Sequence, residues 1–221
     1  MTHEEILQGL YDNTLIGNAP EVKDLTNAGL EADLAPEQML YDALIPSLEE
    51  VGARFERGDF FVPEMLIAAR AMQGALDILR PLLAETGARE VGTYVMGTVK
   101  GDVHDIGKNL VNIMLEGAGF TVHDLGVNVA PETFVEMVQE HKPDIVGFSA
   151  FLTTTMPMFK ANINALEKAG IRDEVIVMVG GAPVTQEYAD KVGADGYASD
   201  ASAAVRLAKD LIQRRRSAVP A

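Results

Sequence analysis

The chain has 221 residues, 48% of them hydrophobic and 23% charged, with a formal net charge of −15 and no cysteine. This is ordinary globular composition, long enough for two small domains, and the missing cysteines exclude disulfides, thiolate zinc sites and Cys nucleophiles together. The excess of carboxylates argues against nucleic acid as the main partner, because such interfaces need clustered Lys and Arg.

The N-terminus, Met1-Thr-His-Glu-Glu, has no basic region ahead of an apolar core. No stretch reaches the roughly 18 apolar residues that span a bilayer, so the expected location is cytoplasmic, with no membrane partner. Helical spacing runs through residues 3–13, 19–28, 36–57 and 63–84, with breaks at Gly17-Asn18-Ala19-Pro20, Gly29 and Arg57-Gly58-Asp59. Pro20, Pro36 and Pro63 stand where a first helical turn tolerates proline. Four helices with short connections predict an antiparallel four-helix bundle. Phe55, Phe60 and Phe61 surround the third break and are followed by Met65 and Leu66. Aromatics so grouped plug the end of a bundle as core, unless they serve a ligand. Residues 85–90 are a polar hinge. The expected division is a helical cap domain at 1–86, a hinge at 87–92 and an α/β domain at 93–221.

From Val91 onward the pattern alternates. Strands are expected at 91–99, 120–124, 144–149, 175–179 and 196–198, and helices at 107–117, 131–140, 156–169, 184–192 and 200–215. Five strands alternating with helices predict a doubly wound parallel sheet, flavodoxin-like or Rossmann-like, in the order 2-1-3-4-5. Arg214, Arg215 and Arg216 end the last helix, where cations complement the helix dipole.

The turn after the first strand, Gly97-Thr-Val-Lys-Gly101-Asp102-Val103-His104-Asp105-Ile106-Gly107-Lys108-Asn109, holds the densest chemistry. A phosphate loop needs four residues between its glycines and then Lys-Ser or Lys-Thr. Gly101 and Gly107 enclose five, and Asn109 stands where the hydroxyl belongs. Two readings remain: Asp102 and His104 hydrogen-bond within a turn, or His104 ligates a metal while a carboxylate two residues away takes the other ring N–H.

Asp102-Val-His104-Asp-Ile-Gly107 resembles the Asp-x-His-x-x-Gly signature of cobalamin-binding domains. The resemblance implies cobalamin as cofactor, cycling as methylcobalamin and a Co(I) corrinoid, held base-off and His-on. His104 is then the lower axial ligand of cobalt and the metal-binding residue, and Asp102 is its partner. Gly101, Val103, Asp105, Ile106 and Gly107 line the turn, with Gly107 beside the freed nucleotide tail. Ser149-x-Phe151 is similar to the family's Ser-x-Leu motif, which implies that Ser149 extends the His-Asp relay and that the loop through Phe151 and Thr153 packs on the buried base. This chain departs from the motif by carrying Phe151 at the leucine position. Thr154 or Thr155 suits a helix N-cap. Gly180-Gly181 matches the family's Gly-Gly beside the ribose and base. Tyr197 and Asp200 stand where the tail can be met, Asp200 being equally suited to a helix cap. In the helical domain, Phe60, Phe61, Met65 and Leu66 are the residues that the resemblance assigns to shielding the upper face of the corrin.

The whole chain resembles the two-domain corrinoid proteins that carry a methyl group in methylamine, methanol and O-demethylase methyltransferase systems. A carrier of this kind implies three partners: a substrate-specific methyltransferase, an acceptor methyltransferase acting on a folate or thiol, and a reductive activase. A mutase subunit would share the His104 turn but has no use for a methyl-shielding bundle. A cobalamin-binding sensor or regulatory protein would need a DNA-binding segment or, as a light sensor, a lid tryptophan, and the chain has no Trp.

Overall fold

A computed structural model describes residues 1–86 and 91–218. Most of the hinge expected at 87–92 therefore lies outside the described residues. The chain divides into two compact units, one built on residues 1–86 with Glu116–Gly119, the other on Val91–Leu115 and the chain from Phe120 onward.

The first unit is helical. Helix α1 (His3–Leu15) starts in a capping box, in which Thr2 Oγ1 accepts from Glu5 N and Glu5 Oε2 accepts from Thr2 N at 2.7 Å. Helix α2 (Ala19–Glu31) runs through Gly29, where a break is expected from sequence. The missing side chain there lets the Met39 sulfur approach, so the glycine serves close packing instead of a turn. The helix expected at 36–57 is interrupted: α3 (Pro36–Met39) leads through a π-helical turn (Leu40–Leu44) into α4 (Ile45–Arg57). Pro46 has no N–H to give to the carbonyl of residue 42, and the chain absorbs this by widening one turn, with Ile45 N–H donating to Leu40 O. Helix α5 (Val62–Thr86) completes the unit. Its core includes Ile6, Leu10, Val22, Met39, Leu44, Val51, Met65, Met72 and Leu79, all fully buried.

The second unit is the expected sheet. Strands β1 (Gly92–Thr98), β2 (Phe120–Asp124), β3 (Ile145–Ser149), β4 (Ile176–Gly180) and β5 (Gly196–Ala198) are all parallel, in the order β2-β1-β3-β4-β5. Between and after them lie α6 (Ile106–Gly117), α7 (Pro131–His141), α8 (Pro157–Lys168), α9 (Gln186–Val192) and α10 (Ala201–Ala218). The near-continuous apolar runs of β1, β3 and β4 reflect burial on both faces, as parallel sheets covered by helices require. Val95, Val146, Phe148 and Val177 form the core with Phe134, Phe159 and Ile163 from the helices, and Phe134 meets Phe148 edge to face at 4.8 Å. The chain leaves β1 toward β2 on one side and returns to β3 on the other. The strand order therefore reverses direction between β1 and β3, and the turns after these two strands meet at the carboxyl edge of the sheet, where open α/β sheets place their ligands. Among the described residues no helix is long and apolar enough to cross a membrane.

Candidate functional site

The turn after β1 brings Asp102 and His104 together. Gly101 adopts φ +84°, which favours glycine, and directs the chain back so that Asp102 is fully buried at the sheet edge. Asp102 Oδ1 accepts from His104 Nδ1 at 2.7 Å and from His104 N–H at 3.1 Å. Oδ2 accepts from Phe151 N–H at 2.8 Å, Leu152 N–H at 3.2 Å and the Thr155 hydroxyl at 2.6 Å. Burial on its own would raise this carboxyl. The donors around it, Thr155 and His104 first, outweigh burial and hold it well below the usual carboxylate range. An ionised carboxylate only accepts, so the His104 proton sits on Nδ1 and the Nε2 lone pair is left for a ligand. Nε2 has no hydrogen bond among the described residues, and the side chain is 45% exposed.

Ser149 is not among the groups on Asp102, and the relay expected through it is corrected: the hydroxyl that reaches the carboxylate belongs to Thr155. Ser149 is the last residue of β3, paired with Thr98 and Gly180, while the loop beyond it curls over Asp102. Thr155 is accordingly no helix cap. Helix α8 starts after Met156 without a side-chain cap.

The β2–α7 loop braces the turn from the other side. Asn128, at φ +56°, accepts from Gly101 N–H through its side chain at 2.8 Å and donates its own N–H to Asp102 O at 2.9 Å. Lys108, fully buried on α6, places its ammonium 2.6 and 2.7 Å from the two oxygens of Asp124 at the end of β2. Asp124 in turn accepts from Gly126 N–H, and Gly126 O accepts from Thr98 N–H. Sequence reasoning missed Thr155, Asn128 and Lys108. For Lys108 a signal was present, since it shares an inward helix face with Asn112 and Leu115, where a lysine requires an acidic partner.

Of the remaining expected residues, Val103 and Ile106 flank His104 and are 66% and 85% exposed, an unusual display of aliphatic surface. Asp105 holds the start of α6, accepting from Asn109 through both side chain and carbonyl. Phe151 is exposed and stacks on His104, and Thr153 is exposed beside it. A Cβ at Gly107 would meet nothing, and one at Gly180 would make only ordinary contact, so both border open space. Gly181 differs. At φ +132° its Cβ would run into the Ala150 carbonyl, so it is required by the close approach of β4 to the β3 loop. Tyr197 is half-buried against the sheet core, and Asp200 caps α10, accepting from Ala203 N–H at 2.8 Å. In the helical unit Phe61 is 65% exposed and Phe60 lies beneath the Arg54 guanidinium. Met65, near the start of α5, is fully buried.

His104 offers one nitrogen, a donor set that suits a metal held on its other sides by something else. The surrounding apolar side chains and side-chain-free glycines suit a large, largely apolar group with an appended chain.

A B12 binding domain model matches residues 92–206, and a second model with the same description matches residues 6–80. The dimethylamine corrinoid protein of Methanosarcina barkeri is 43% identical over 213 residues, covering 96% of this chain and 100% of the relative. Trimethylamine corrinoid protein 2 of Methanosarcina acetivorans is 42% identical over 212 residues, covering 95% and 98%. Among solved structures, the methanol:cobalamin methyltransferase complex of Methanosarcina barkeri contains a chain that matches with a TM-score of 0.83 at 30% identity, over 95% of this chain and 80% of that one. With models matching both of its parts and relatives similar over nearly its whole length, the chain belongs to the family of B12-binding corrinoid proteins.

Proposed function

We propose that this chain carries a methyl group on the cobalt of a bound cobalamin, between a methylamine methyltransferase and a second methyltransferase with a folate or thiol acceptor. The observation that carries this reading is the His104 imidazole, whose Nδ1 is committed to a fully buried carboxylate at 2.7 Å while Nε2 stays free of protein partners among the described residues. When bound, cobalamin supplies a cobalt centre able to take up a methyl group from one partner and release it to another. His104 is the lower axial ligand in this reading, with the cofactor base-off and His-on. Asp102 keeps the imidazole in the tautomer that ligates. Thr155 and the amides of Phe151 and Leu152 hold that carboxylate in place. Gly107 and Gly180 leave room for the nucleotide tail.

The names of the dimethylamine and trimethylamine relatives support a methylamine as the source of the methyl group. The relative found within a methyltransferase complex supports docking to such an enzyme. A reductive activase completes the set of partners in this reading.

The test is reconstitution with hydroxocobalamin followed in the visible region. Wild type is expected to give a histidine-ligated spectrum, and His104→Ala to keep its circular dichroism but lose that spectrum. The reconstituted protein is then expected to take a methyl group when paired with a mono-, di- or trimethylamine methyltransferase. Absence of binding, or a histidine-ligated spectrum that survives His104→Ala, overturns the reading.

A further inference from the structure

The imidazole of His104 has a second restraint besides Asp102. Phe151, in the turn between β3 and α8, lays its ring on the imidazole with centroids 4.4 Å apart and planes 27° from parallel. The same residue donates its backbone N–H to Asp102 Oδ2 at 2.8 Å, while Asp102 Oδ1 takes His104 Nδ1 at 2.7 Å. Residue 151 thus acts on the imidazole twice, on its edge through the carboxylate and on its face through the phenyl ring.

These two restraints differ in what they fix. A hydrogen bond at Nδ1 sets a distance and a tautomer, but the terminal torsion of a histidine is broad and the ring can tilt about that bond. A flat surface against the ring face removes the tilt and leaves Nε2 pointing one way. Both rings are half-exposed, His104 at 45% and Phe151 at 52%, so no surrounding core forces them together. An aliphatic side chain at 151 would cover the imidazole without defining its plane.

We propose that Phe151 is a positioning residue for His104, its ring setting the plane of the imidazole so that Nε2 is presented in one direction before the corrinoid arrives. The inference rests on the reading of His104 as the axial ligand. An offset-stacked pair contributes enough beyond area burial to change a dissociation constant roughly two- to tenfold.

The experiment compares wild type with Phe151→Leu, Phe151→Ala and Phe151→Tyr, with circular dichroism to establish that each is folded. In the cofactor-free protein, NMR of the His104 ring protons is expected to show an upfield ring-current shift in wild type and the Tyr variant, and none in the Leu and Ala variants. In cobalamin titrations the Leu and Ala variants bind roughly two- to tenfold more weakly. A larger share of their bound cofactor lacks the histidine-ligated spectrum, and tyrosine restores both properties. Wild-type affinity and a fully histidine-ligated spectrum in Phe151→Leu overturn the proposal, as does a wild-type His104 without the ring-current shift. Should wild type bind no cobalamin, the axial-ligand reading fails, and the ring-current comparison alone decides whether Phe151 orders the imidazole.

Discussion

Asp102 is a carboxylate without access to water whose charge is matched by donors on both oxygens. Burying such a group unpaired would be prohibitive, so its environment is part of what makes the turn possible. Because the folded carboxyl is held below its ordinary range, the stabilisation it brings is fully present above the unfolded value, near about 4, and is lost as pH falls toward the folded value. Asp102→Asn is therefore expected to cost about 2–3 kcal/mol at neutral pH. The deficit relative to wild type should shrink below about pH 4 and stay constant above it, as urea unfolding across pH would show. Thr155→Val, nearly isosteric, should cost about 1–2 kcal/mol in the same measurement, while Ser149→Ala stays within about 0.5. The Asp102–His104 pair was legible because two residues of spacing in a turn already bring the side chains within reach. Thr155 was not, because Thr153, Thr154 and Thr155 all stand at a helix entrance. Only the fold of the loop over β1 selects which hydroxyl faces the carboxylate.

At the scale of elements, β1, β3 and β4 stood out because burial on both faces leaves apolar runs that few other structures produce, whereas the half-buried β2 and the three-residue β5 were legible only from their place in the strand–helix alternation. Periodicity could not show the π-helical turn at Leu40–Leu44. One extra residue per turn shifts a helical pattern too little to be seen over five residues, and Pro46, the cause, is equally compatible with a kink. The glycine pair after β4 was legible as a pair but not as two different roles. Gly181 is demanded by its φ of +132° and by the Ala150 carbonyl, whereas Gly180 merely borders open space. Gly181→Ala is accordingly expected to lose more than about 2 kcal/mol of stability or fail to accumulate as folded protein. Gly180→Ala should unfold within about 1 kcal/mol of wild type and show its effect in weaker cobalamin binding. Equal stability losses for the two would mean that the open space beside Gly180 is not there in solution. Thermal melts of the cofactor-free proteins, set beside cobalamin titrations, separate these cases.

Over the whole molecule, charge is divided unevenly between the helical N-terminal part of the chain and the part that follows it. Residues 1–86 hold 16 acidic against 5 basic side chains, a net −11, whereas residues 91–218 hold 16 against 12, a net −4. The helical unit thus carries most of the molecule's field, and most of that charge is solvated and free to act over a Debye length. A field of one sign does little for the strength of a docked complex, since rim charges exchange water for partner at small net gain. It does raise the frequency of productive encounters with a basic surface. In the proposed role, in which the protein docks to more than one enzyme, fast arrival and easy departure are an advantage, and long-range attraction without buried ion pairs provides that combination. With a methylamine methyltransferase as partner, raising salt from about 20 to about 300 mM is expected to slow association about tenfold while leaving dissociation nearly unchanged. Asp24→Lys together with Glu31→Lys, both exposed on α2, should reproduce part of that loss at low salt without altering cobalamin binding or melting temperature. Stopped-flow measurements at several salt concentrations decide it. An association rate indifferent to salt and to the double substitution would mean that the acidic helical unit does not guide docking.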